Sequence, residues 1–335
     1  MSKLLDTVLL FSLPASGKSE VRKYLSSLTP EQCREEFHMG PTVQLDDYPY
    51  VHFMHRIDDE CYARGGRYLF YKGPCRPFQD PIHWYTLIEM LNEDYTDLRA
   101  HKTYDVPSAA ELLFDRLDAA LLRAGAVPLM AELPHRIRKG VGEALEAECR
   151  KELDGRNAQA KMDLTGKTIV IEAARGGPNG AAFPLTPPVG YAAAFSQLLP
   201  EMLDRSAVLY VWVSPAESRR KNWERGRPDG QGSILFHSVP LEVMLGDYGC
   251  DDLAYLIEQS DQPDTVRVDR TIEIPDGKGG KSYAIKTWHL PVGRFDNRAD
   301  LTTFVRKDKA NWGKDEVKAL HDGLSAAFRT LAAKL

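Results

Sequence analysis

Ser12-Leu13-Pro14-Ala15-Ser16-Gly17-Lys18-Ser19 places a glycine, a lysine and hydroxyl groups at the spacing that cradles a phosphate chain. In such a loop successive backbone N–H groups and the N-terminus of the following helix point at one anion. A nucleoside triphosphate then replaces the water these groups would otherwise need. Gly17 lets the backbone come close, Lys18 offers a point charge to the β- and γ-phosphates, and the Ser19 hydroxyl takes a place in a magnesium shell. Ser12, Pro14, Ala15 and Ser16 complete the nucleotide-binding set. The pattern departs from G-x-x-x-x-G-K-[ST] once, because Ser12 stands where the first glycine belongs. The Gly-Lys-Ser/Thr triplet recurs at Gly166-Lys167-Thr168 and Gly280-Lys281-Ser282, but both precede strand patterns, where a turn calls for glycine.

Acids and arginines supply further chemistry. Asp46, in Gln44-Leu45-Asp46-Asp47-Tyr48, closes an apolar run, and in an open α/β sheet ligands bind beyond the carboxyl ends of strands. A carboxylate there positions or deprotonates an acceptor hydroxyl; the competing reading is an Asx turn or helix cap. Glu172 ends the apolar run Thr168-Ile169-Val170-Ile171, with Arg175 close behind. Arg219, Arg220, Arg225 and Arg227 follow Ser214-Pro215 on a helical stretch, where Arg220 and Arg227, seven apart, share a face. Arginines on a hinged helix stabilise charge on a transferring phosphoryl group, whereas a plain solvated basic face is the simpler use.

The elements that must carry these residues alternate. Thr7–Phe11, Thr42–Leu45, Thr168–Ile171 and Val208–Val213 read as buried strands, with Thr265–Val268 a weaker fifth. Helical patterns at Glu20–Leu28, Gly190–Leu203 and Pro215–Arg225 lie between them, which predicts a doubly wound, mostly parallel α/β sheet. Residues 1–47 and 166–270 form the expected core. Residues 48–165 form an insert with an irregular, aromatic-bearing beginning and helices at Ala109–Arg123 and Gly140–Leu153, and it is expected to bind the acceptor. Residues 271–335 read as a C-terminal hairpin around Asp276–Gly280 and a closing helix from Lys314 to Leu335. No internal repeat is expected.

Four of these patches together resemble the P-loop kinases, in particular the nucleoside and nucleotide kinase group that also phosphorylates small metabolites. The resemblance spans residues 3–47 and 166–270. It implies a P-loop NTPase-type sheet, ATP or GTP on residues 12–19, and magnesium held by Ser19 and by Glu172 at the end of a Walker B-like strand. It further implies Asp46, with Asp47 as fallback, taking the acceptor proton. Lys18, Arg220 and Arg225 would act in transfer, and Arg219 and Arg227 would hold the nucleotide. Gly226, Gly230 and Gly232 would form the tip of a lid. The acceptor would be a small hydroxyl- or phosphate-bearing molecule. Two alternatives stand beside this one: a polynucleotide-end kinase, and a nucleotide-dependent switch without an acceptor.

Composition sets the frame. The 335 residues are 43% hydrophobic and 27% charged, enough to bury a core, and the net charge of −5 gives no global pull toward nucleic acid or anionic membrane. Cys33, Cys61, Cys75, Cys149 and Cys250 are scattered without metal spacing and read as reduced thiols. Neither a signal peptide nor a membrane-spanning run is recognised, so a soluble, cytoplasmic protein is expected. His52 and His55 beside Asp58, Asp59 and Glu60 read as pocket lining or helix surface rather than a metal site. Tyr62, Tyr68, Phe70, Tyr71, Phe78, Trp84 and Tyr85, interleaved with Arg64, Arg67, Lys72 and Arg76, read as core plus acceptor pocket before a base-stacking surface.

Overall fold

The computed structural model describes residues 3–226, 238–275 and 280–334. Contacts divide it into two compact units, Met1–Gln44 with Gly166–Leu335, and Leu45–Thr165. The chain runs β1 (Thr7–Phe11), α1 (Lys18–Leu25), α2 (Pro30–Glu36) and β2 (Thr42–Asp46). It then forms α3 (Tyr48–Ala63), α4 (His83–Arg99), α5 (Ala109–Arg123) and α6 (His135–Ala160). It returns through β3 (Thr168–Ala173), α7 (Gly190–Gln197), α8 (Pro200–Leu203), β4 (Ser206–Trp212), α9 (Pro215–Arg225), α10 (Leu241–Gly246) and α11 (Leu253–Glu258). β5 (Thr265–Pro275), β6 (Lys281–Asp296) and α12 (Lys314–Ala332) close it.

The six strands lie in the order β2-β3-β1-β4-β6-β5, mostly parallel. β1 is buried at every position, as an unbroken apolar strand between two parallel neighbours must be. Val8, Leu10, Val170, Leu209 and Val211 share a core with Val21 and Tyr24 of α1 and with Leu320, Leu324, Phe328 and Leu331 of α12. Phe11 instead meets Tyr191 and Phe195 of α7, with ring centroids 5.2 and 5.6 Å away.

Several expectations change. The strand beside β4 is the far half of β6, a stretch beyond the expected hairpin, where Val208 faces Val292 and Trp212 faces Asp296 in parallel register. β5 is a single strand from 265 to 275 that pairs antiparallel with β6 at the sheet edge. A strand sixteen residues long can complete a hairpin with its first half and join the core with its second. Residues 271–335 therefore belong to the first unit rather than forming an appendage. The turn at 276–279 lies outside the described residues. The stretch 190–203 splits at Leu198 and Leu199, whose extended backbones precede Pro200. The insert begins with a regular helix, α3, and its irregular aromatic-bearing stretch follows between α3 and α4.

The second unit does contain an internal repeat. Arg56-Ile57-Asp58, Gly65 and Leu69 recur as Arg116-Leu117-Asp118, Gly125 and Leu129, each sixty positions later. Both helices end just before a left-handed glycine, Gly65 at φ 81° and Gly125 at φ 87°. The following loop then turns back to give three backbone N–H groups to the aspartate. Asp58 accepts from Leu69, Phe70 and Tyr71 at 2.6, 3.1 and 2.8 Å. Asp118 accepts from Leu129, Met130 and Ala131 at 2.8, 2.8 and 2.7 Å. Within the same unit Asp94 is buried against Tyr50, Arg116 at 2.6 Å and Arg156 at 2.5 Å, so its charge is compensated rather than left bare.

Candidate functional site

β1 delivers the chain to Ser12 at its carboxyl end, and the next eight residues turn into α1. Two of them have left-handed backbones, Ala15 at φ 56° and Gly17 at φ 109°. A Cβ on Gly17 would stand 2.5 Å from Thr302 Oγ1 and 2.7 Å from Asn297 Nδ2, so both conformation and space call for glycine. The loop carbonyls are taken up from around it. Ser218 Oγ donates to Pro14 O at 2.7 Å, Asn297 Nδ2 to Ser16 O at 2.6 Å, and Lys18 Nζ to Ser12 O and Leu13 O at 3.1 and 3.2 Å. The Ser12 and Ser16 hydroxyls bond each other. The cap residue of α1 is Gly17, which has no side chain to offer its N–H groups, and Glu20 in the first turn takes its own N–H. The first N–H groups of a helix have no partner within it and carry its positive pole. With the carbonyls drawn away and a lysine adjacent, this turn can hold an anion.

Glu172 lies on β3 opposite Leu10 and is bound to Arg22 of α1, Nη1 to Oε2 at 2.7 Å, while Arg22 Nη2 also donates to Gln44. Ser19 and Glu172 are oxygen donors of the kind magnesium takes. Among the described residues no cluster of three or more His, Cys, Asp or Glu is arranged for a metal ion.

The remaining expected residues are placed as follows. Asp46 Oδ1 accepts the Tyr48 N–H at 2.8 Å, which is an Asx-type cap where α3 begins. Asp47 is the N-cap residue by position, without a side-chain bond to the helix. On α9, Arg219 meets Asn179 at 3.4 Å, and Arg220 is held by Glu217, Glu224 and Asp300 at 2.5, 2.5 and 3.0 Å. Arg225 and Arg306 both grip Glu20, at 3.3 and 2.7 Å. Arg227, Gly230 and Gly232 lie outside the described residues. Arg175 is 1% exposed, with Nη1 donating to Ala174 O at 2.7 Å, so its guanidinium does not reach solvent. His52 pairs with Glu148 at 2.9 Å, and the His55 ring stacks on Tyr71 at 3.7 Å. Phe70, Tyr71, Phe78 and Trp84 are buried, so these aromatics are core.

Sequence reasoning missed the residues that support the loop from the far end of the chain. Asn297 and Thr302 touch it, and the buried Lys221 ties α9 to the same segment through Asp300 at 2.6 Å and Thr302 at 3.1 Å. It also missed Asp251. This partly buried carboxylate accepts from the Tyr210 hydroxyl at 3.0 Å and from the Leu253 N–H at 3.1 Å. Burial pushes its carboxyl up to about 7, against the pull of those two donors and of the Lys18 ammonium. Asp252 beside it accepts from the Tyr191 and Ala192 N–H groups at the start of α7, at 2.6 and 3.3 Å. The paired acids after Gly249-Cys250 were the available signal.

The chain is thus an α/β protein with a six-stranded, mostly parallel sheet and a helix that starts at Gly17 just past the end of a central strand. Comparison with protein-family models, with curated proteins and with solved structures finds no match to it.

Proposed function

We propose that this protein is an ATP- and magnesium-dependent phosphotransferase of the P-loop kinase type, acting on a small hydroxyl- or phosphate-bearing acceptor. The observation that carries the reading is the 12–19 loop: left-handed at Gly17, with its carbonyls taken up by Ser218, Asn297 and Lys18, and with a glycine rather than a capping side chain at the start of α1. The position of β1 between β3 and β4 supports it, because the crevice above a central parallel strand is where such sheets bind ligands.

In this reading the α1 N–H groups hold the phosphate oxygens, and Lys18 leaves the Ser12 and Leu13 carbonyls to meet the β- and γ-phosphates. Ser19 and Glu172 would hold magnesium, Glu172 after release from Arg22; the ion supplies charge neutralisation for a loose phosphoryl transition state. Arg220 would add a bidentate donor on exchanging one of its carboxylates for phosphate. Asp46 would orient the acceptor hydroxyl through its carboxylate.

The test is label transfer from γ-labelled ATP to panels of nucleosides, sugars and oligonucleotides, run beside Asp46→Asn. Loss of transfer with unchanged ATP affinity in that variant is the expected result. Turnover untouched by it would replace the kinase with a nucleotide-dependent switch, and label appearing on oligonucleotide ends would move the acceptor to nucleic acid.

A further inference from the structure

Against the sheet face covered by α1 lies a cavity of about 520 Å³, walled entirely by residues of the first unit. Protein interiors are close-packed, with few voids larger than a water molecule, and a space of this size falls in the range of small-molecule pockets. Val8 and Leu10 of β1, Val170 of β3 and Val21 of α1 back it as closed core, while Leu25, Leu28 and Pro30 line it with accessible apolar surface. Two of the residues lining it are charged, Arg22 and Lys23, and both are positive. Gln44, which accepts from Arg22, and Ser19 are in the same lining, so it combines apolar surface with polar and cationic groups.

We infer that this cavity binds one small amphipathic molecule, its apolar body against Leu25, Leu28 and Pro30 and its single anionic head at Arg22. An apolar wall holds water poorly, so a hydrocarbon body gains what solvent there loses. The lining holds two cations and no carboxylate of its own, and with Glu172 compensating Arg22 from outside it Lys23 still leaves the balance positive, which favours an anionic head over a cationic one. The guanidinium of Arg22 is already oriented by Glu172 and Gln44, which fixes its plane for a carboxylate or phosphate monoester.

Octanoate is the probe, titrated calorimetrically into the full chain without nucleotide, with 1-octanol as the uncharged twin. The expected result is saturable binding of one octanoate per chain, at least tenfold tighter than octanol. Ser26→Trp and Thr42→Trp, at two exposed wall positions, each place an indole in the space and abolish that binding while the circular dichroism spectrum is retained. Two variants on different walls keep the test readable if one fails to fold. Absence of saturation in the parent, binding that survives in a folded variant, or octanol binding as tightly as octanoate would each overturn the inference. ATP affinity measured on the same samples reports on the 12–19 loop alone, so failure of one reading is told apart from failure of the other.

Discussion

The filled turns of the second unit contrast with the start of α1 in the first. In the second unit the chain supplies its own anions: Asp58 fills the 69–71 turn, Asp118 fills the 129–131 turn, and Glu146 sits on the N-terminus of α5, taking the Ser108 hydroxyl and the Ala109 and Ala110 N–H groups at 2.7, 2.9 and 3.0 Å. In the first unit Asp252 does the same for α7, whereas α1 starts at a glycine that has no side chain to cap it. The acid of its first turn, Glu20, takes its own backbone N–H and is gripped by Arg225 and Arg306. On the proposed reading such donor groups are structural where an internal carboxylate fills them and receptive at α1, and that contrast is the reason to look for an anion in solution.

The sharpest break in the comparison is Lys18→Ala. A charge-assisted hydrogen bond to phosphate is worth roughly 1.5–3 kcal/mol, so triphosphate affinity by calorimetry should fall about 100-fold. Unaltered affinity would make the α1 turn as structural as the others. Asp58→Ala and Asp118→Ala are the mirror experiment. Each strands three N–H groups, Asp58 being fully buried, and should cost about 3 kcal/mol in denaturant unfolding while leaving ATP binding as it was. A loss of nucleotide affinity equal to that of Lys18→Ala would erase the distinction between filled and open turns.

Acid and alkali separate the two kinds of carboxylate with smaller effects. Burial holds Asp251 raised to about 7 from its ordinary 3.8. A raised folded value means its contribution is full below the unfolded value and is lost as pH rises through about 7. Asp251→Asn should therefore flatten the decline of stability between pH 4 and pH 7, as followed by thermal melts; an unchanged slope would remove Asp251 as its source. Glu146 runs the other way. Although burial works against it, the Ala110 and Ala109 N–H groups and the Ser108 hydroxyl pull its carboxyl down to about 2. Its contribution is present above its unfolded 4.5 and fades as pH falls toward 2, and Glu146→Gln should be the mildest of these changes, about 1 kcal/mol at neutral pH.

What the sequence made legible followed from pattern strength. β1, β3 and β4 are continuous apolar runs, and α5 and α9 each announce themselves with a serine cap, Ser108 and Ser214, that accepts from the third residue on. The turn at Gly17 was legible because its donors are local. β6 was not, because its first half alternates exposed and half-buried residues as a free hairpin does, and nothing in Val292-Gly293-Arg294-Phe295 declares a partner in β4. The repeat of α3 and α5 escaped because few side chains recur while the backbone device recurs whole. Asp251, Asn297 and Thr302 sit in segments without periodicity, where only the folded chain says what they touch.

The contacts of Asn297 and Thr302 with Gly17 have a consequence for synthesis. The 281 positions from Ser16 to Asn297 must be synthesised before the 12–19 loop has its backing, so a nascent or truncated chain ending ahead of β6 carries that loop without the groups that shape it. A segment made early is thus finished late.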